Sequence, residues 1–355
     1  LGDIYHSRLD RGESQNYQEE QELAIKYWRQ ASELQNELGL QIDLANSLNN
    51  LAGIYRATGN YSEAEPLYKQ ALELRKRLLG ENHPAFATSL NNLAGLYKST
   101  GQYSKAELLY QQALELRKGL LGEHHADVAA SLNNLALLYD EQGRYDEAEP
   151  LYLQSLELEK RLLGENHLSF ALILNNLALL YYHQGRYSEA EPLSQQAIEL
   201  DKRFLGEENP DVATDLHNLG LIYRAQGRYS EAESLFLESL ELKQRVLQKA
   251  HPLLADTIYA LGYMYREQGR YNEAEPLCIK ALELDKHLLG ESHPNVAESL
   301  NNLAEIYRAT GRYGEAEPLY LQALDICERV WGVEHLRCVA VRENLGKLAA
   351  AMGKS

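Results

Sequence analysis

Three cysteines in 355 residues, Cys278, Cys327 and Cys338, are too few for a disulfide framework, and none stands in a Cys-x-x-Cys pair. An odd, sparse count fits a reducing compartment, so the cytoplasm is the expected location. No apolar run approaches the ~20 residues that span a bilayer, which excludes a membrane-spanning helix. Basic charge is short as well: 35 Lys+Arg against 52 Asp+Glu gives −17. That balance opposes attraction to phosphate backbones and anionic membranes, so neither nucleic acid nor membrane is an expected partner. Paired-helix readers of nucleic acid need a basic groove, and the charge argues against one. A Gly-x-x-x-x-Gly-Lys-Ser/Thr phosphate loop is missing too; the recurrent GENHP string lacks the lysine.

What is present is repetition. The stretch beginning at Ser47 returns, lightly edited, at Ser89, Ser131, Ile173, Asp215, Thr257 and Ser299, giving seven copies of 42 residues over 47–340 without insertion or deletion. A period held that strictly marks stacked units, each in contact with its neighbours only. Serines, histidines and carboxylates sit at repeat-wide equivalents, which reads as scaffold duty, and no catalytic constellation stands out. No enzymatic activity, cofactor or metal is expected. His83, His125, His167, His251, His293 and His335 come once per unit. One imidazole per unit cannot gather the three or four ligands of a zinc site, so loop packing or capping of a helix start is the expected duty.

Each copy contains two helices. The first runs from the His-Pro segment to just before Gly59, with Leu48, Leu51, Ala52 and Tyr55 on one face. Gly59, Gly101, Gly143, Gly185, Gly227, Gly269 and Gly311 end it in the left-handed region. The second opens with a capping box, Ser62 with Glu65, repeated as Ser104/Glu107, Asp146/Glu149, Ser188/Glu191 and Ser230/Glu233. Pro66, Pro150, Pro192, Pro276 and Pro318 are expected in its first turn, and it runs to Leu79 and stops at Gly80. Ala64 and Ala71 share a face where small side chains allow close helix approach. Cys278 stands where other copies have Tyr68, Tyr110 and Tyr152, and reads as small apolar packing.

Residues 1–46 read as a divergent first unit with a solvated polar insertion from about Leu9 to Gln21, and 341–355 as a capping helix with a weakened apolar face. Leu1 and Tyr5 align with Leu51 and Tyr55, while Ala24, Trp28, Ala31 and Leu34 align with Ala64, Tyr68, Ala71 and Leu74. Because LGDIY at 1–5 matches the middle of a first helix, the chain reads as part of a longer protein.

Leu51, Ala52, Tyr55, Gly59, Tyr61, Ala64, Tyr68 and Ala71 stand at the spacing of the tetratricopeptide signature, seven times over. The chain therefore resembles the tetratricopeptide-repeat family. The 42-residue period, with LNNLA in the first helix and LLGENHP closing the second, is similar to the kinesin light chain type and to repeats of multidomain bacterial signalling proteins. The resemblance implies an all-α, right-handed superhelical solenoid of antiparallel helix pairs, whose concave wall of first helices holds an extended peptide or partner segment. It implies no catalysis. The coiled coil by which kinesin light chain binds its motor has no counterpart here.

The helical wheel, at about 100° per residue, puts Asn46, Asn49, Asn50, Gly53, Arg56 and Ala57 opposite the packing face. Asn49 and Asn50 recur as Asn91/Asn92, Asn133/Asn134, Asn175/Asn176 and Asn301/Asn302, with Asn218 at the second position of another copy. Two readings are open: a ladder of amides binds the backbone of an extended ligand, or one Asn of each pair bonds the neighbouring repeat. Departures from the consensus carry more information. Leu137, Leu179, Tyr182, His183, His217, Leu221, Tyr259 and Tyr263 make an apolar and aromatic zone in the middle copies. Arg56 and Lys98 lie to one side of it in sequence, Arg224, Arg266 and Arg308 to the other. Exposed aromatics and arginines are the usual material of hot spots, so the expected ligand is a protein or peptide with an apolar anchor and acidic flank. Asp140, Glu141, Asp256, Glu267, Glu298 and Glu305 nearly balance the basic count, which keeps a ligand of mixed charge open. The alternative function is a regulatory module gating an attached effector domain.

Overall fold

The computed structural model describes residues 17–57, 60–247, 251–333 and 335–353. Among these residues there are sixteen α-helices and no strand. First helices of successive repeats are α2 (Gln41–Ala57), α4 (Pro84–Ser99), α6 (Ala126–Glu141), α8 (Leu168–His183), α10 (Pro210–Ala225), α12 (Pro252–Glu267), α14 (Pro294–Ala309) and α16 (Leu336–Ala351). Second helices are α1 (Tyr17–Glu37), α3 (Tyr61–Leu79), α5 (Tyr103–Leu121), α7 (Tyr145–Leu163), α9 (Tyr187–Leu205), α11 (Tyr229–Val246), α13 (Tyr271–Leu289) and α15 (Tyr313–Trp331). The chain divides into two compact units, residues 1–218 and 219–355. Within each, a second helix packs on its own first helix and on the first helix of the next repeat.

Small and large side chains alternate to make that packing. In the first unit Ala64, Ala71, Ala106, Ala113, Ala148, Ala190 and Ala197 are fully buried, and Tyr68, Tyr110 and Tyr152 fill the space beside them. Burying a side chain of this size contributes roughly 1.5–3 kcal/mol relative to leaving it in water. In the second unit Phe236 and Cys278 take the aromatic position, and the facing residue shrinks to glycine. A Cβ on Gly220 would lie 2.8 Å from the Phe236 ring, so alanine cannot be housed there without a shift. Burial pushes the Cys278 thiol up to about 12, which leaves it un-ionised packing material at neutral pH.

Helix ends follow the expected glycines. Gly101, Gly143, Gly185, Gly227, Gly269 and Gly311 have φ between +70° and +78°; Gly59 lies outside the described residues. Each recurrent histidine caps a first helix. The Nδ1 atoms of His83, His125, His167, His251, His293 and His335 accept from the backbone N–H two residues on, at 3.1–3.3 Å. Asn209 does the same with its Oδ1 at 2.8 Å.

Three expectations need correction. Second helices begin at the tyrosine, so Ser62 lies one residue inside the helix, its hydroxyl donates to Glu63, and the residue before the tyrosine makes no side-chain cap. Glu65, Glu107, Glu149 and Glu233 reach the next repeat instead, because a partly buried tyrosine hydroxyl or a guanidinium is a better partner than one exposed N–H. Glu107 accepts from Tyr139 at 2.9 Å and Arg144 at 2.8 Å, and the Arg144 guanidinium lies 4.0 Å from the Tyr139 ring centre. Glu149 with Tyr181 and Arg186, and Glu233 with Tyr265 and Arg270, repeat the latch. For the same reason Pro66 and its equivalents fall in the second turn, not the first; Pro66 and Ser62, whose carbonyl loses its helical donor, both face solvent. Finally, α1 starts at Tyr17, inside the segment read as a polar insertion, while residues 1–16, with the Leu1 and Tyr5 matches, lie outside the described residues. Ala24 and Trp28 are buried as aligned, whereas Leu34 is exposed.

Candidate functional site

First helices of neighbouring repeats run side by side, which brings residues 43 apart in sequence into register. Two ladders result. In the first unit the second asparagine of one repeat donates through Nδ2 to Oδ1 of the first asparagine of the repeat before. Asn92 bonds Asn49 at 2.9 Å, Asn134 bonds Asn91 at 3.0 Å, Asn176 bonds Asn133 at 3.0 Å and Asn218 bonds Asn175 at 3.1 Å. Asn344 bonds Asn301 at 3.2 Å in the second unit. Where the first asparagine is replaced by Tyr259, Asn302 turns to the Cys278 sulfur at 3.2 Å and leaves its own buried Oδ1 without a partner.

The ladder engages the donors of the second asparagine and the acceptor of the first. What it leaves on the half-buried Asn49, Asn91, Asn175 and Asn301 is the NH2 group, aimed away from the rung. Among the described residues Asn50 makes no rung, and it is also half-buried; Asn133 is buried more deeply.

A second ladder joins the last turns of the same helices. Lys98 pairs with Glu141 at 2.6 Å, Asp140 with His183 at 2.9 Å, and Arg224 with Glu267 at 3.8 Å. Arg308 pairs within its helix with Glu305 at 2.8 Å. Three of the five expected basic residues are thus already matched by carboxylates, whereas Arg56 and Arg266 carry none among the described residues. Arg56 lies against Gly95, and Arg266 lies 4.3 Å from the Tyr263 ring centre, with Arg224 at 4.8 Å from the same ring.

The aromatic zone falls into two clusters, one per unit. In the first, Tyr182 stands 5.6 Å from the ring of His183 and 5.8 Å from Tyr187, with Leu137, Leu179 and His217 half-buried on the same face of successive first helices. In the second, Tyr259 and Tyr263 are 6.1 Å apart, with Leu221 half-buried.

Sequence reasoning missed a column of polar side chains under this face. Arg75, Arg117, Glu159, Asp201, Lys243 and Asp285 occupy one repeat position and are all buried. Arg75 donates to Asn46 Oδ1 at 2.8 Å, Ala85 O at 3.1 Å and Ser89 Oγ at 2.7 Å. Lys243 donates to Thr257 at 2.8 Å, and burial pulls its ammonium down to about 8. The available signal was a charged residue recurring on an otherwise apolar helix face. A separate open groove of about 560 Å³ between α5 and α7 is lined by Val128, Leu153 and Leu158 together with Lys118, His124, Glu157 and Arg161. Among the described residues no three His, Cys, Asp or Glu side chains come together to hold a metal, and no helix is long and apolar enough to cross a membrane.

The tetratricopeptide-repeat family model matches this chain over residues 3–77, 43–119, 109–161, 127–173, 169–245, 253–329 and 300–355. Among solved structures, the chain is similar to BtubC (BKLC) from P. vanneervenii, with 26% identity, a TM-score of 0.54, and 65% of this chain and 94% of that one covered. It also matches a putative kinesin light chain from Podosopora anserina with nearly identical TPR-like repeats, at 28% identity and a TM-score of 0.47, over 56% of this chain and 94% of that one. A nucleotide-binding leucine-rich repeat (NLR)-like protein of Hyaloscypha variabilis (strain UAMH 11265 / GT02V1 / F) is 50% identical over 44 residues, 12% of this chain. The chain spans 4% of the length of that relative.

Proposed function

This chain belongs to the tetratricopeptide-repeat family, and from that premise we propose that it is a non-catalytic scaffold whose first-helix faces bind an extended segment of a partner polypeptide. Proteins of this family are in general protein-interaction scaffolds. One observation carries the finer reading: amide NH2 groups left unengaged at one repeat position, beside half-buried aromatics on the same helices. An extended chain offers carbonyls at regular intervals, and amides at regular intervals answer them. Tyr182 and the Tyr259/Tyr263 pair supply apolar anchoring area, while Arg56 and Arg266 answer acidic residues of the ligand. Three free, buried thiols support a cytoplasmic setting.

The test uses the immobilised chain and a degenerate pool of ten-residue peptides. Wild type is expected to retain a defined subset. Joint replacement of Tyr182, Tyr259 and Tyr263 by alanine is expected to abolish retention while the helical circular dichroism signal holds. Unchanged retention with intact helicity overturns the aromatic anchor.

A second reading draws on the curated relative, in which the matched segment is a small part of a much longer protein. On it, the array is a regulatory module that senses a partner and gates an attached effector. A peptide retained in the pool experiment and added to the full-length protein is expected to change effector output; no change leaves the scaffold reading alone.

A further inference from the structure

At two junctions a guanidinium sits in a polar niche between first helices. Arg75 takes up Asn46, the Ala85 carbonyl and Ser89, and Arg117, one repeat on, takes up Thr88, the Asp127 carbonyl at 3.1 Å and Ser131 at 2.7 Å. Both arginines reach the niche from the second helix beneath it and are buried there, 7% and 6% exposed.

In the second unit the equivalent position is Asp285. The positions that receive the guanidinium now hold Asp256 in place of Asn46 and Thr88, the Asn295 carbonyl in place of those of Ala85 and Asp127, and Ser299 in place of Ser89 and Ser131, with Glu298 beside them. These residues, with Ala255 and Tyr259, line a cavity of about 70 Å³. At about 15 Å³ for each water-sized position, that is room for four or five heavy atoms, the size of a guanidinium head. The floor is closed and the rim open: Asp285 is 4% exposed and Ser299 1%, whereas Asp256 is exposed and Asn295 and Glu298 are half-buried.

The floor carboxylate lacks a cation. Asp285 Oδ2 accepts from Ser299 at 2.7 Å, and among the described residues no ammonium or guanidinium pairs with Asp285. Burial pushes its carboxyl up, which the Ser299 hydroxyl partly offsets. Arg337 engages Glu298 at the rim, and the field of Lys243 reaches Asp256 while its ammonium is bonded to Thr257. A buried carboxylate with no counter-ion is costly unless a cation reaches it.

We propose that the Asp256–Asp285–Ser299 niche receives the guanidinium of an arginine carried by the polypeptide bound along the first-helix face. The incoming group takes the place that Arg75 and Arg117 fill from within, entering from the open rim. It donates to Asp256 and to the Asn295 carbonyl, two of the directions used by the internal arginines, and to Asp285, which stands where those arginines are rooted. This rests on the peptide-binding reading above and adds a basic residue to the ligand beside its apolar anchor.

The experiment begins with the degenerate decapeptide pool retained by the immobilised chain. Arginine is expected to be enriched at one position. A retained peptide is then synthesised with that arginine or with citrulline, which keeps the shape and loses the charge, and both are titrated by fluorescence anisotropy. Citrulline is expected to weaken binding about tenfold, and Asp285→Asn to weaken the arginine form by a similar factor. Asp285→Arg refills the niche from within, so the two peptides should bind that variant alike and its thermal midpoint should rise. Equal binding of both peptides to wild type, or arginine binding untouched by Asp285→Asn, overturns the niche and leaves the peptide-binding reading standing. No peptide retained at all removes both. A lowered midpoint for Asp285→Arg shows that the cavity cannot house a guanidinium and also overturns the proposal.

Discussion

Asp215 in α10 and Asp201 in α9 face one another, 3% and 8% exposed, at the junction where Arg75 and Ser89 stand three repeats earlier. Burial first, and the neighbouring Asp201 second, push the Asp215 carboxyl up to about 9, so at neutral pH it keeps its proton and donates it to Asp201. The unfolded chain releases that proton near the ordinary carboxyl value. Stability from this pair is therefore complete only below about pH 4, declines as pH rises from there, and is fully lost once pH passes about 9. Asp215→Asn is expected to raise the urea midpoint at pH 8 and to flatten its decline between pH 5 and 9. The variant should gain more than about 1 kcal/mol at the alkaline end, and an unchanged pH profile would contradict the shared proton.

At the scale of the element, six of the eight first helices start on an imidazole that works only when unprotonated, because its Nδ1 must accept. His251 is the most buried of these, and burial, aided by nearby Lys243, pulls it down to about 4. The cap holds at neutral pH. It is lost as pH falls from the ordinary imidazole range through about 4, since the unfolded chain takes up the proton first. His251→Asn copies the cap that Asn209 makes on α10 and cannot be protonated. Its midpoint is expected to match wild type at pH 7 within about 1 kcal/mol and to exceed it at pH 4.5. Guanidinium melts at the two pH values decide the matter. The helices themselves, their glycine ends and the histidine caps were legible in sequence, since each depends on residues a few positions apart. The capping box was misread because Glu65 and its equivalents are equally suited to a cap or to a partner in the next repeat. Only packing shows that Tyr97, Tyr139 and Tyr181 stand within reach of them.

For the molecule as a whole, the principal helix contacts among the described residues of each unit lie within a repeat or between adjacent repeats, so damage should stay local. Tyr152 is fully buried in α7. Tyr152→Ala is expected to cost about 3–5 kcal/mol and to open the helices around it first. In hydrogen exchange, protection should fall in α6, α7 and α8 while α13 and α14 keep theirs. Uniform loss along the chain would show cooperativity longer in range than the contacts suggest. The same nearest-neighbour logic explains why repeats with one backbone differ so much along the first-helix face. A substitution at Asp285 or Tyr259 is answered within its own junction, which leaves each junction free to acquire its own chemistry.

Period, the helix pair of each repeat with its glycine ends, most of the buried apolar positions and the surplus of negative charge were settled by the amino-acid sequence, because they follow from short-range backbone preference and from a hydrophobic pattern repeating along each helix. Tertiary structure decided the partners of the polar side chains. Whether Asn92 faces a ligand or Asn49, whether Lys98 is available or held by Glu141, and whether Asp285 fronts a counter-ion or a cavity all turn on residues 10 to 43 positions away. Those distances are closed by how one helix lies against the next, a packing relation that no pattern within a single helix encodes.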